Sequence, residues 1–347
     1  MKIFKNSSAS IAATLAASAL ALTGCVGPNA NDLGEKWGMI PTVERECPFE
    51  VDESITTTAR IGWMAMADGN ALTYGNGWLE TCLPNAKISW QKQEAGAEVI
   101  QAFSSASTDL ALIGSSPAAQ ALSSPLDLNV SVPYIFNIIG EAESLVVKDP
   151  SVNSLADLKG KTIAVPTGST THYSLLNAIS QAGMNETDFN IIFLGPDKML
   201  AGWQGSGMDA AWVWDPTLTK LTESGHIIMS SADTAAAGAP TANVAIVDNA
   251  FAAANPAFMA YWTKLQEYAV DQINNNPDEA AETLAPILGI STDEVKTQFA
   301  GYQYYTAEEQ KALNFGQALY STAEFLEAQG RCTAVDEAHY LNAVTIP

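Results

Sequence analysis

Gly168-Ser169-Thr170-Thr171-His172-Tyr173-Ser174-Leu175-Leu176 follows the β-rich run Thr162–Val165 and opens an apolar helical pattern. A strand that turns through glycine into a helix leaves the helix's first backbone N–H groups without partners. Flanked by hydroxyls, those groups form a site ready for an anion. A second such place is Gly114-Ser115-Ser116-Pro117, after Leu110–Ile113 and before Ala118–Leu122. Ser and Thr cap ordinary helices, so either stretch alone reads as capping. Two in one chain point to a bound oxyanion.

Outward from these turns, β-rich and helical runs keep alternating. Thr58–Met64 leads to a helix ending near Leu83. Ile88–Gln93, a helix from Gly96, Leu110–Ile113 and Leu128–Val132 follow. The pattern resumes in Leu145–Lys148, Thr162–Val165, the helix from Thr170, Asn190–Leu194, a helix through Met199–Gln204, and Ala210–Trp214. This predicts an α/β fold of βαβ units with a parallel sheet. After Val244–Val247 the pattern is helical to the end, with helix-spaced apolar residues in Phe258–Ile273 and Leu313–Leu326. About 295 residues exceed what one core usually holds, so two lobes are expected. The expected division puts residues 53–137 and 246–347 in the first lobe and 138–245 in the second, with crossings near 134–144 and 240–246.

Lys2 and Lys5 precede an uncharged apolar segment, Ile11–Leu22, that ends in Leu22-Thr23-Gly24-Cys25. Residues 1–24 read as a signal peptide ending in a lipobox, with Cys25 the lipidated first residue of the exported protein. No later stretch is apolar for the roughly 20 residues a membrane helix needs. The chain is therefore expected in the periplasm or on the cell surface, tethered to a membrane by lipid. Residues 25–52, with Pro28, Gly34, Pro41 and Pro48, carry no period and read as the tether. Losing residues 1–24 removes two lysines and no acid, so the net charge moves from −22 to −24. Such a surface repels nucleic acid, and the two anion sites must work through short-range hydrogen bonds. Of the remaining cysteines, Cys47 and Cys82 each lie shortly before one of two neighbouring strands, which favours their pairing. Cys332 is the alternative partner. Their spacings resemble no zinc site, and no cofactor is expected.

Further pieces carry a resemblance: Glu143-Ser-Leu-Val-Val147, Gly160-Lys-Thr-Ile-Ala-Val-Pro166, Thr170-Thr-His-Tyr-Ser-Leu-Leu176, Trp212-Val-Trp-Asp-Pro216 and Gly238-Ala-Pro-Thr241, together with Gly114-Ser-Ser-Pro117. From about Thr58 to the C-terminus the chain resembles the nitrate, sulfonate and taurine substrate-binding family of ABC importers. The threonine-histidine piece resembles the taurine branch. The resemblance implies a type II periplasmic-binding-protein fold, a monomer whose two α/β lobes close on a ligand, and delivery to a membrane permease with its ATPase.

A sulfonate offers three acceptor oxygens and stays ionised, so it wants several convergent donors. Ser115, Ser116, Thr170 and Thr171 can supply them with the helix starts they open. Taurine's ammonium wants a carboxylate and an aromatic face. Glu143 aligns with the family's acidic position and is the first choice for the carboxylate. Trp212 and Trp214 alternate on one strand face. Trp212 reads as core, and Trp214, at the strand's C-terminal edge, reads as a site residue. Asp215 followed by Pro216 reads as a helix N-cap with proline at the first helical position, a role compatible with a pocket role. His172 resembles the family's histidine and either faces the ligand or orients the turn.

Two departures bear on the ligand: Asn243 stands where the taurine branch has an aspartate, and Met64 replaces a polar residue. Asp215 could compensate; Asp68 in the first loop reads as a solvated loop acid, with reach to the ligand as its alternative. Aliphatic sulfonates, another zwitterion, or a sensor on the same fold are the alternatives. Ser115 or Ser116 with His172 lacks a Gly-x-Ser-x-Gly frame, so an enzyme is disfavoured. Gly160-Lys161-Thr162 precedes a strand where a phosphate loop follows one.

Overall fold

The computed structural model describes residues 46–347. The lipobox, Cys25 and the tether up to residue 45 lie outside the described residues. The last part of the expected tether is stitched to the body: Cys47 is disulfide-bonded to Cys82, with Cα atoms 5.0 Å apart, and the Asp52 N–H donates to the Cys82 carbonyl. Cys332 is a half-buried free thiol.

Among the described residues the strands are β1 (Thr58–Trp63), β2 (Lys87–Lys92), β3 (Leu110–Gly114), β4 (Val130–Ile139), β5 (Glu143–Val147), β6 (Thr162–Val165), β7 (Asn190–Phe193), β8 (Ala210–Trp214), β9 (His226–Ser230), β10 (Thr241–Asp248) and β11 (Tyr302–Gln303). They form two sheets, ordered β11-β4-β10-β3-β1-β2 and β7-β6-β8-β5-β9. Each sheet with its helices makes one lobe. The central strands β3, β5 and β8 are buried along their whole length, β3 and β8 as unbroken apolar runs and β5 with Glu143 and Ser144 buried at its start.

The sheets are mixed, which corrects the expectation of parallel sheets. β1 runs parallel to β2 and β3, and β6 runs parallel to β7 and β8. β10 is antiparallel to β3 and β4, and β5 is antiparallel to β8 and β9. The reason is the route of the chain. β5 is the strand on which the chain arrives from the first sheet, and β10 is the strand on which it comes back, so each enters its sheet from the opposite end.

Alternation along the second sheet sends Leu145, Val147, Val165 and Trp212 to one face, and Val146, Ala164, Ala211 and Val213 to the other. The first lobe packs Ile61, Leu112, Ile135 and Val244 of its sheet against Phe258 and Trp262 of the helix Pro256–Asn275 and Leu319 of the helix Phe315–Ala328. Truncating a fully buried aromatic such as Trp262 to alanine would cost about 3–5 kcal/mol. No described helix is long and apolar enough to cross a membrane.

Candidate functional site

The two anion sites read from the sequence meet. The helix Ser115–Leu122 starts directly after β3, and the helix Thr170–Gln181 starts a short turn after β6, both at C-terminal ends of parallel strands. Ser116 Oγ reaches across from the first lobe and donates to the Ser169 carbonyl of the second at 3.1 Å. Gly114 makes this approach possible, because a Cβ there would stand 2.6 Å from Thr170 Cγ2. Ser115 Oγ accepts the Ala242 N–H at 3.1 Å. Ser169, the N-cap, accepts the His172 N–H at 3.1 Å, and its hydroxyl lies 2.8 Å from Thr171 Oγ1.

Glu143, the first residue of β5, is enclosed beside them. Thr170 Oγ1 donates to its Oε1 at 2.5 Å and Ser231 Oγ to its Oε2 at 3.3 Å. Burial pushes the carboxyl up to about 7, against the two hydroxyls, which favour the charged form. Trp214 pairs with Glu143 across the β5–β8 ladder. Met64, Met66, Gly96, Glu143, Thr170 and Trp214 bound a cavity of about 10 Å³, room for one water. Asn243, where the taurine branch has an aspartate, also touches this cavity and donates through Nδ2 to Asn137 Oδ1 at 3.0 Å.

Asp68 corrects the sequence reading, which made it a solvated acid. It is fully buried. Its Oδ1 caps the helix Gly69–Asn76 by accepting the Ala71 N–H at 2.8 Å, whereas Oδ2 has no partner among the described residues. Burial pushes this carboxyl up to about 7 as well. The buried Oδ1 of Asn70 and both amide atoms of Gln93 are also without partners. Each such atom costs about 1–3 kcal/mol in an interior, so this region is polar in excess of what the protein itself satisfies. The phenol of Tyr302 lies among the acids. Burial first, then the charges of Glu143, Asp215 and Asp68, hold it well above its usual range. The available sequence signal for Asp68 was its place as an N-cap, directly before the helix it starts.

Glu143, Thr170 and Trp214 bound one small cavity where the lobes meet, whereas Ser116 lines the larger cavity of His172 and Ser115 a third, of about 280 Å³. Asp215 Oδ1 accepts the N–H and hydroxyl of Thr219 at 2.7 and 2.8 Å, so its carboxylate serves the next helix. That helix runs Thr217–Thr222 with Pro216 at its N-cap, one position outside the first helical position read from the sequence. The cavity that His172 lines is of about 290 Å³, and there its ring meets Phe193 edge-on at 5.1 Å. Burial, and then the Arg331 charge, lower its pKa to about 4, so the imidazole is neutral at pH 7. Trp212 is core, as read from the sequence, and Trp214 ends the same strand at its C-terminal edge.

Residues 87–280 match the family described as NMT1/THI5 like. The chain is 33% identical over 269 residues to the taurine-binding periplasmic protein of Escherichia coli (strain K12), a match covering 74% of this chain and 83% of that protein. It is 34% identical over 168 residues to a putative aliphatic sulfonates-binding protein of the same organism, covering 47% of this chain and 51% of that one. In three dimensions it is similar to the alkanesulfonate-binding protein SsuA from Xanthomonas axonopodis pv. citri bound to MOPS. That likeness has a TM-score of 0.71 at 22% identity and covers 84% of this chain and 99% of the other. The family match, the relative one-third identical across most of both chains, and the shared two-lobe fold have one consequence: this chain belongs to the NMT1/THI5-like family.

Proposed function

We propose that this chain is the substrate-binding component of an ABC importer and captures taurine or a close aminosulfonate between its lobes. The observation that carries the reading is Glu143: a fully buried carboxylate held by two hydroxyls, where two helix N-termini converge. The names of the similar proteins support a sulfonate, and the partnerless oxygen of Asp68 supports a ligand that also bears a cation.

The sulfonate oxygens take the N–H groups and hydroxyls at Ser115, Ser116, Thr170 and Thr171, where the helix dipoles also favour negative charge. The ammonium lies against Glu143, with Asp68 as a second acid and the Trp214 ring as a wall. In the present closed arrangement the Thr170 hydroxyl occupies one Glu143 oxygen. Ligand binding exchanges that bond, the ammonium taking the carboxylate and the hydroxyl turning to the sulfonate. A cavity of about 10 Å³ holds no such ligand, so capture requires the lobes to part and close again. The chain passes between lobes at residues 140–142 and 237–240, which serve as the hinge. Export, anchoring through a lipidated Cys25 and handover to a permease complete the reading.

Calorimetric titration with taurine, ethanesulfonate and nitrate tests it. Taurine should bind with the highest affinity, and ethanesulfonate, which keeps the sulfonate and lacks the amine, at least tenfold more weakly. Equal affinity for the two, or preference for nitrate, would refute the ammonium site.

A further inference from the structure

The cavity of about 290 Å³ that holds His172 shares Ser116 and Ser169 with the proposed cleft but does not reach Glu143. It spans both lobes. Ile100 and Leu126 line it from the first lobe, and Leu176 and Phe193 line it from the second. Phe193, at the end of the edge strand β7, is 45% exposed, an apolar ring turned to solvent beside an apolar hollow.

The polar groups at this hollow have spare capacity for one charge sign. His172 is 5% exposed, and its Nε2 has no partner among the described residues. Arg331 lines the cavity as its one cation. One of its terminal nitrogens bonds Glu186 at 2.7 Å, and its Nε has no partner. The backbone there is fixed by Gln120, whose Nε2 donates to the Arg331 carbonyl at 3.1 Å. The start of the helix Thr170–Gln181 adds Gly168 and Ser169 to the lining. A guanidinium with an unused N–H, a neutral imidazole and a helix start all suit an anion. The rest of the wall is apolar, and the volume suits a small organic ion.

We propose that this cavity is a second binding site, separate from the Glu143 cleft, for a small organic anion with an apolar body, its head at Arg331 and His172 and its body against Ile100, Leu176 and Phe193. Because the walls come from both lobes, an occupant fastens them together beside the Arg331–Glu186 ion pair, which already crosses between them.

Hexane-1-sulfonate is the probe, titrated into the full protein saturated with taurine. A further equivalent should bind without displacing taurine. Arg331→Gln and the cavity-filling Ile100→Trp should each weaken it at least tenfold. Hexan-1-ol, which has the body without the charge, should bind at least tenfold more weakly than the sulfonate. The extra equivalent should persist in Glu143→Gln, so failure of the cleft reading and failure of this one are separable. Simple competition with taurine for one equivalent, or a second equivalent indifferent to both cavity variants, would overturn the proposal.

Discussion

Glu143→Gln should move stability and binding in opposite directions. In the empty protein the carboxyl is fully buried, and burial raises it from 4.5 to about 7. A raised acid contributes fully below its unfolded value, and that contribution is lost as pH rises through the folded value. The difference, about two and a half pH units at about 1.36 kcal/mol each, amounts to a destabilisation of about 3 kcal/mol at pH 8. Glutamine keeps the shape, can still accept the Thr170 hydroxyl, and never ionises. The empty variant should therefore unfold several degrees higher than the parent at pH 8, and this gain should vanish at pH 4.5. Taurine should bind at least 2 kcal/mol more weakly, since its ammonium loses a buried counter-charge, while ethanesulfonate changes little. Differential scanning calorimetry at the two pH values and titration calorimetry at pH 8 read both effects. A variant less stable than the parent at pH 8, or equal losses for the two ligands, would refute the reasoning.

Taurine affinity should fall as pH drops below 7, by about tenfold per unit for each carboxyl that must ionise, and Glu143→Gln should flatten that profile. Calorimetry between pH 8 and 5.5 checks it. Gly114→Ala should hold the lobes apart, since the added Cβ would sit 2.6 Å from Thr170 Cγ2. Solution scattering should then show a more open form and taurine affinity should drop at least tenfold, whereas unchanged compaction would count against closure through this contact. Cys25→Ser should release the protein from the membrane fraction, and continued sedimentation with membranes would sink the lipid anchor.

Local pattern carried most of the elements and little of their arrangement. Leu110–Ile113, Thr162–Val165 and Ala210–Trp214 were legible because strands buried on both faces are continuously apolar. β9 escaped notice because it lies at a sheet edge and is mostly half-buried, with no alternation to read. The reversed directions of β5 and β10 depend on which end of a sheet the chain reaches, information spread over a hundred residues. The meeting of Ser116 with Ser169 follows from two helix-start signals that the sequence displays plainly. Burial of Asp68 does not, because a lone acid after Met66-Ala67 looks the same whether or not Tyr304, which bonds the Ala67 carbonyl, closes over the turn. The rotation of His172 away from Glu143 is likewise invisible at the level of spacing, since neighbouring residues on a helix start face different neighbours.

The two passages between lobes lie side by side: Ile139, ending β4, pairs with Thr241, beginning β10, and Gly301 bonds the Gly140 and Ala142 N–H groups from the flank. A Cβ at Gly301 would fall 2.6 Å from the Ala142 nitrogen, so this third strand is clamped against the first passage. Ropes fastened next to one another allow a door to swing but not to slide or twist. The lobes are left with one cheap rotation, and every intermediate between open and shut lies on a single arc. One spin-label distance across the cleft should therefore describe the whole motion.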